Sequence, residues 1–238
     1  MIQWVYGKNT VKQLLNEPGR IKQIAIAGRD EEFLRLAHKA NIPIKMYERN
    51  ELTRLTGSDR HQSVAALIEP YKTYSVDEII SAIPSHENGL LVMLDELEDP
   101  HNLGAILRTA DAVGAHGVIF KKNNAVGLTP TVAKVSVGAI DTVKCASVTN
   151  LSRTLEDLKK KGWWVVGADM DGMDYRSLKY DFNVVLVIGN EGKGISRLVA
   201  SKCDYIVSLP MRGQISSLNA SVSAGVLMYE ILSKRNPL

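Results

Sequence analysis

Apolar positions in the first part of the chain alternate between strand-like and helix-like spacing. Short runs of apolar residues predict strands, whereas apolar residues three or four positions apart predict amphipathic helices. The strand patterns cover 21–26, 42–47 and 63–68, and the helix patterns cover 11–15, 33–37 and 51–55. This alternation predicts a small α/β domain over residues 1–70. A segment containing Pro, Ser, Asn and Gly follows at 71–89 and predicts a linker with one helix, 76–83.

A second α/β pattern extends over residues 90–238. It begins with Leu90–Leu94, a continuous apolar run typical of a strand buried in a parallel sheet. Asp99 and Pro100 have the residue types of a helix N-cap and first helical position, and this helix pattern stops at Gly114. Further strand patterns lie at 117–120, around 143, and at 163–167, 184–188 and 205–209. Because helical segments separate most of these strands, we expect a mostly parallel sheet that binds ligands at the carboxyl ends of its strands.

The composition is that of a globular protein, because 45% of the 238 residues are hydrophobic and 23% are charged. No apolar run reaches the length of a membrane span, and the start of the chain lacks the basic-then-apolar order of a signal peptide. Cys145 and Cys203 form no paired motif, which favours free thiols in a reducing compartment. We therefore expect a cytoplasmic protein with no membrane partner.

The net charge of +3 is unevenly distributed along the chain. Residues 1–72 contain 12 Lys/Arg and 8 Asp/Glu, a difference of +4, whereas residues 73–238 contain 17 and 18, a difference of −1. A modestly basic small domain suits contact with a phosphate backbone, but it is also within ordinary surface variation. The charge favours a nucleic-acid partner without deciding it.

A glycine-rich segment, 188–194, follows one of the predicted buried strands. Glycine allows positive φ angles and lets a ligand approach the backbone closely. The glycines stand at 189, 192 and 194, and Lys193 is not followed by Ser or Thr, so neither the dinucleotide-binding nor the triphosphate-binding pattern is matched. The residues alone leave two interpretations: a tight strand-to-helix turn, or a loop whose backbone holds a ligand.

Three other features also leave two interpretations open. Arg108 either pairs with Asp111 on a solvated helix face or meets a substrate that approaches over Gly104. Asn102, in the first turn of the same helix, either caps backbone groups or binds a ligand. The Ser- and Ala-rich segment 216–225 starts another helix, where its serines either cap the helix in a closely packed contact or hold a ligand.

The sequence indicates no metal site. The histidines at 38, 61, 86, 101 and 116 lack the spacing of metal ligands. Asp169, Asp171 and Asp174 lack the glycine and the final glutamate of a calcium-binding loop, and we interpret them as a solvated loop.

Three separated segments, taken in order, resemble the motifs of the SpoU/TrmH family of RNA 2′-O-ribose methyltransferases. They are 95–110, 188–192, and 209–211 together with 217–221. Their order and spacing resemble the family across about residues 90–233. The segments 5–11 and 61–65 resemble the small RNA-binding domain of the subgroup that methylates a guanosine in 23S ribosomal RNA. Many relatives have Gly where this chain has Ser63.

The resemblance implies a fold, a cofactor and an assembly. The second domain is expected to be an α/β-knot (SPOUT) fold with a deep trefoil knot, and the first to be similar to ribosomal protein L30e. S-adenosylmethionine is expected in the knot, and the knot region at the interface of a homodimer. By motif match, the catalytic positions are Asn102, Arg108, Glu191, Ser217 and Asn219, and the cofactor-binding positions are Gly189, Asn190, Gly192, Leu209, Met211, Ser217 and Leu218.

The implied reaction moves a methyl group from a sulfonium to a ribose 2′-hydroxyl, a weak nucleophile whose proton must be removed or stabilised. Arg108 is then either a deprotonated base or, as we favour, a cation that positions an RNA phosphate and stabilises alkoxide charge. Asn102, Ser217 and Asn219 are expected to orient the ribose and the arginine. Glu191 is expected to fix Arg108 by paired hydrogen bonds. No metal is required, because the sulfonium is already an activated leaving group.

The favoured function is methylation of a 23S ribosomal RNA guanosine, with this RNA and a second copy of the chain as partners. A tRNA 2′-O-methyltransferase of the same family is one alternative. A ribosome-associated RNA-binding protein without activity is another, and it would use the knot only to dimerise. A nucleotide-binding α/β enzyme would use the glycine-rich turn for phosphates, which the mismatched glycine pattern disfavours.

Overall fold

The computed structural model describes residues 3–15, 18–215 and 217–236. The chain divides into two compact units, Met1–Tyr71 and Lys72–Leu238. The first unit is a four-stranded mixed sheet with strand order β1-β4-β2-β3, in which β4 is antiparallel to both neighbours and β2 is parallel to β3. Its elements are β1 (Gln3–Tyr6), α1 (Lys8–Leu14), β2 (Ile21–Ala27), α2 (Glu31–Lys39), β3 (Ile44–Tyr47), α3 (Arg49–Thr56) and β4 (Val64–Ile68).

The two faces of this sheet are packed differently. Successive residues of β2 point to opposite faces. Ile24 and Ile26 pack in the core formed with α1 and α2, whereas Ala25 and Ala27 pack with Leu52 of α3. The predicted helices and strands of this unit are present. The structure adds β1, a strand of four residues that is too short to show a clear pattern.

A strained turn precedes β4. Gln62 and Ser63 have φ angles of 53° and 62°, in the left-handed region that favours glycine. The buried His61 holds this turn, because its Nδ1 accepts the Ser63 N–H at 3.0 Å and its Nε2 lies 3.0 Å from Thr53 Oγ1. Glycine adopts such a left-handed conformation without a steric penalty, whereas the serine at position 63 adopts it with strain.

The second unit is a six-stranded sheet of order β10-β8-β9-β5-β6-β7, and each pair of neighbouring strands is parallel. Its first elements are α4 (Val76–Ser81), β5 (Leu90–Leu94), α5 (Pro100–Ala112), β6 (Gly117–Lys121), α6 (Pro130–Ser136), α7 (Ala139–Thr142) and β7 (Cys145–Val148). They are followed by α8 (Leu151–Lys160), β8 (Trp164–Asp174), β9 (Val184–Ile188), α9 (Arg197–Ala200), β10 (Tyr205–Ser208) and α10 (Ala220–Arg235). The predicted parallel α/β sheet is confirmed.

Three details differ from the sequence-based expectation. The segment 71–89, predicted as a linker, contributes α4 to the second unit, and Ile79 of this helix lies in the hydrophobic core. The strand predicted around Val143 begins at Cys145, and β8 continues to Asp174 instead of ending at Gly167.

The centre of the sheet consists of β5 and β9, in which every residue is buried. β7 is an edge strand. After it the chain passes beyond β5 to the other half of the sheet, where β9 lies between β8 and β5. At such a change in strand order, the carboxyl ends of parallel strands leave a crevice in which α/β proteins bind ligands.

Candidate functional site

A cavity of about 400 Å³ opens at the carboxyl ends of β9 and β10, beside residues 168–170 of β8. The segment that leads into α10, and the first turn of α10, form another part of its wall. All seven residues predicted to bind a cofactor line this cavity: Gly189, Asn190, Gly192, Leu209, Met211, Ser217 and Leu218. The fold therefore brings the second and third sequence motifs together around one space.

The glycine-rich segment forms a tight loop at the end of β9. Asn190 and Gly194 exchange two backbone hydrogen bonds, of 3.0 and 2.8 Å. A Cβ atom at Gly189 would overlap the backbone of Gly194, and Gly194 itself has a φ angle of 66°. The two interpretations of this segment are therefore compatible, because the same tight turn forms a wall of the cavity.

The end of β5 anchors this loop. Asp95, which is buried, accepts the Ser196 N–H through Oδ2 at 2.7 Å. The Asn190 side chain donates to the Glu96 carbonyl oxygen at 3.1 Å and accepts the Gly192 N–H at 2.9 Å. Both ends of the Asn190 amide are thus occupied within the protein, so this side chain shapes the loop. The anchoring position of Asp95 could not be recognised from its place in the motif.

A chain of hydrogen bonds joins the three motifs. Asn219 Nδ2 donates to Asn102 Oδ1 at 2.9 Å, and Asn102 Nδ2 donates to Glu191 Oε1. Asn102 is buried in the first turn of α5, which begins with Asp99 accepting the His101 N–H at 2.9 Å and with Pro100 at its first position. Three of the predicted catalytic residues are therefore adjacent, and Glu191 lines the cavity.

Asn219 is also the N-cap of α10. Its Oδ1 accepts the backbone N–H groups of Ser221 and Val222 at 2.9 and 3.3 Å. Capping of this helix by its serines was one of the two interpretations, and among the described residues an asparagine caps it instead. Ser217 lines the cavity, and Ser216 lies outside the described residues.

Arg108 lies apart from the other predicted catalytic residues. It follows Asn102 by six positions on α5, which places the two side chains about 120° apart around the helix axis. Arg108 is exposed, is not among the residues that line the cavity, and makes no hydrogen bond or ion pair with the described residues. The expected pairing with Glu191 is wrong for a single chain, because Glu191 is bonded to Asn102 instead.

The other expectations for Arg108 are also corrected. Asp111 accepts a hydrogen bond from Thr142 Oγ1 at 2.6 Å rather than pairing with Arg108. Gly104 is buried, and a Cβ there would lie 2.6 Å from Val135 Cβ. Glycine at position 104 therefore allows α6 to pack against α5 and leaves no gap for a substrate.

Asp169 is a cavity residue that the sequence did not reveal. The pairing of β8 with β10 jumps from Gly167 opposite Ile206 to Met173 opposite Val207, so residues 168–172 form a bulge. Asp169, within this bulge, lines the cavity, and the interpretation of this position as part of a solvated loop is wrong. The register jump depends on the partner strand, so no local pattern could have indicated it.

The remaining candidate groups are the two cysteines and the possible metal ligands. Burial raises the pKa of both the Cys145 and the Cys203 thiol to about 12, and the two cysteines are free. Within residues 3–15, 18–215 and 217–236, no group of three His, Cys, Asp or Glu side chains is arranged to hold a metal ion. In the same ranges, no helix is long and apolar enough to cross a membrane.

Two family models match the chain, one on each unit. The model described as the SpoU rRNA Methylase family matches residues 89–229, and the model described as RNA 2′-O ribose methyltransferase substrate binding matches residues 4–74. YacO of Bacillus subtilis (strain 168), assigned to the TrmH family of tRNA/rRNA methyltransferases, is 46% identical over 99% of this chain and 97% of its own length.

Solved structures show the same architecture. The SpoU methyltransferase AviRb from Streptomyces viridochromogenes, in complex with the cofactor AdoMet, is 26% identical, with a TM-score of 0.66 over 98% of this chain and 90% of that one. The A. aeolicus TrmH/SpoU tRNA modifying enzyme is 27% identical, with a TM-score of 0.58 over 67% of this chain and 81% of that one.

Proposed function

Because the chain belongs to the SpoU/TrmH family of RNA methyltransferases, we propose that it transfers a methyl group from S-adenosylmethionine to a ribose 2′-hydroxyl of ribosomal RNA. The observation that carries this proposal is that two of the motifs line one cavity and the third is hydrogen-bonded to both of them. Asn102, Glu191 and Asn219 come from segments far apart in the sequence, and they are linked by hydrogen bonds at the carboxyl edge of the sheet.

The residues of the cavity fit S-adenosylmethionine, the cofactor bound by AviRb. A volume of about 400 Å³ lies within the range of small-molecule sites. Leu209, Met211 and Leu218 offer apolar surface for the adenine, and the loop from Gly189 to Gly194 offers backbone polar groups with few side chains to cover them. When bound, the cofactor supplies a methyl group activated by a positively charged sulfur.

We assign the orientation of the substrate ribose to the Asn219–Asn102–Glu191 network. Asn102 holds one carboxylate oxygen of Glu191, and Asn219 holds the Asn102 amide from the other side. This arrangement fixes a cavity-lining carboxylate in one geometry. Such fixed polar groups lower a barrier because they need little reorganisation during the reaction.

We assign Arg108 to the cavity of a second copy in a homodimer. On its own chain Arg108 lies outside the cavity and on a different side of α5 from Asn102. The neighbouring helix α10 exposes Val222, Val226 and Tyr229, spaced as one helical stripe, which suits contact with a second copy. We also propose that the second unit contains the trefoil knot that the family resemblance implies. In the dimer, Arg108 would stabilise negative charge on the ribose oxygen while RNA or water accepts the proton.

The proposed substrate is a guanosine in 23S ribosomal RNA. The first unit matches a model for RNA substrate binding and belongs to the part of the chain with the positive charge excess. The tRNA modifying enzyme of A. aeolicus corresponds to only 67% of this chain, whereas AviRb corresponds to 98%. The solved enzyme whose name states a tRNA substrate therefore leaves about a third of this chain unmatched, and for this reason we favour ribosomal RNA over tRNA.

Mapping ribose methylation in RNA from cells with and without this gene tests the proposal. Alkaline cleavage followed by sequencing locates 2′-O-methylated positions, and both ribosomal RNA and tRNA should be mapped. We expect one guanosine in 23S ribosomal RNA to lose its methyl group without the gene and to regain it with the wild-type gene. Loss confined to tRNA would select the alternative substrate, and an unchanged map of both RNAs would contradict the proposed activity.

A further inference from the structure

The cavity contains three charged side chains, and they differ in their partners. Glu191 accepts a hydrogen bond from Asn102, and Lys193 lies at the tip of the glycine-rich loop. Asp169 is half-buried, and its carboxylate makes no hydrogen bond or ion pair with the described residues. A carboxylate in a concave site gains most when a ligand supplies the missing donors.

The bulge of β8 places this carboxylate in the cavity. Five residues, 168–172, are inserted between the paired positions Gly167 and Met173. Asp169 faces the glycine-rich loop, since its Oδ2 would lie only 3.2 Å from a Cβ built on Gly194. The absence of a side chain at position 194 therefore leaves room for the carboxylate beside the cavity.

We propose that Asp169 is a cofactor-binding residue whose carboxylate accepts hydrogen bonds from S-adenosylmethionine. This inference rests on the proposed function only in that the cavity holds this cofactor. The cofactor carries two sets of donors that suit a carboxylate: the neighbouring hydroxyls of its ribose and the ammonium of its methionine part. Both form charge-assisted hydrogen bonds with a carboxylate, and such bonds are stronger than neutral ones.

The test is the affinity of the full-length protein for two nucleosides, measured by isothermal titration calorimetry. S-adenosylhomocysteine carries both the ribose hydroxyls and the ammonium, whereas 5′-methylthioadenosine carries only the hydroxyls. We expect Asp169→Asn and Asp169→Ala to weaken binding of S-adenosylhomocysteine at least about tenfold, because a hydrogen bond to a charged group is lost. Asp171→Asn is the matched control: Asp171 lies in the same bulge, is exposed, and is not among the cavity-lining residues.

The outcomes separate the possible contacts. An equal loss for both nucleosides assigns Asp169 to the ribose hydroxyls, and a loss for S-adenosylhomocysteine alone assigns it to the ammonium. Affinities like those of the Asp171→Asn control, with unchanged melting temperatures, would overturn the role of Asp169. Failure of the wild-type protein to bind S-adenosylhomocysteine would instead contradict the proposed function itself.

Discussion

The two edges of the sheet in the second unit use polar side chains in opposite ways. At the amino edge, before β5 and β9, Arg235 donates hydrogen bonds of 2.7–3.1 Å to four backbone carbonyl oxygens, those of Asn88, Gly89, Tyr180 and Phe182. Burial lowers the pKa of this guanidinium, and the carbonyl groups compensate for its lost hydration. In this way Arg235 connects the end of α10 to two chain segments that lead into the central strands.

At the carboxyl edge, polar side chains bond mainly to one another. Asn219, at the start of α10, holds Asn102, and Asn102 holds Glu191. Asp169 has no hydrogen-bond or ion-pair partner among the described residues. Hydrogen-bonding capacity is therefore used within the protein at one end of α10, whereas we propose that part of it serves ligands at the other end.

Removal of Arg108 should produce the largest functional effect. We expect Arg108→Ala to lower methyl transfer to RNA at least about a hundredfold, because loss of one charge-stabilising donor typically has that effect. The affinity for S-adenosylhomocysteine should stay unchanged, since the proposed role of Arg108 is to stabilise charge on the RNA ribose oxygen and not to hold the cofactor. Single-turnover transfer of a labelled methyl group and calorimetry measure the two quantities. Near-normal turnover would reject the role of this arginine.

Mixed dimers test whether the arginine comes from the second copy. A dimer that pairs an Arg108→Ala chain with an Asn102→Ala chain keeps one intact site if each site combines Asn102 of one copy with Arg108 of the other. We therefore expect it to recover about half of the wild-type activity, one site of two. If each arginine serves its own chain, the mixed dimer has no intact site and should stay inactive. Homodimers of each variant provide the baseline.

A substitution at the amino edge of the sheet should change the stability of the protein and not its ligand binding. Arg235→Ala removes hydrogen bonds to four carbonyl groups and should lower the free energy of unfolding by about 3 kcal/mol. The affinity for S-adenosylhomocysteine should stay the same in the folded protein. Lys234→Ala is the matched control, because Lys234 is exposed and its 3.7 Å contact with Glu230 should contribute less than about 0.5 kcal/mol. Equal urea midpoints for the two variants would contradict the proposed role of the amino edge.

The features that the sequence predicted are those encoded locally. The continuous apolar run Leu90–Leu94 indicated a buried strand, and Asp99 with Pro100 indicated where α5 begins. In the loop after β9, Gly189 is needed for a close contact within the loop and Gly194 for its positive φ angle, so these glycines marked the turn. The family resemblance added which of these segments meet.

The features that the sequence missed depend on neighbours far along the chain. Gly104 is explained by Val135, which fills the space that a Cβ would need. Asp169 enters the cavity through a register jump set by β10. The separation of Asn102 from Arg108 is different, because helical geometry alone places six positions about 120° apart. That calculation was possible from the sequence, and it already argues against a single-chain site.

The turn at Ser63 in the first unit should show the smallest change in stability on substitution. At Gly189 a side chain would overlap the backbone of Gly194, whereas at Ser63 a side chain is present despite a φ angle of 62°. The left-handed conformation costs a non-glycine residue about 1–2 kcal/mol. Glycine also has more freedom in the unfolded chain, which offsets about 0.4–1 kcal/mol of that gain.

Ser63→Gly should therefore stabilise the first unit by about 0.5 kcal/mol, with a rise in the hydrogen-exchange protection of β4 amides as the measurement. Ser63→Ala is the control, because alanine keeps the Cβ atom and therefore the strain. If the alanine variant is stabilised as much as the glycine variant, backbone strain is not the cause. If instead Ser63→Gly is more stable but binds ribosomal RNA more weakly, the serine is retained for a contact with the RNA, because strained positions are kept where function requires them.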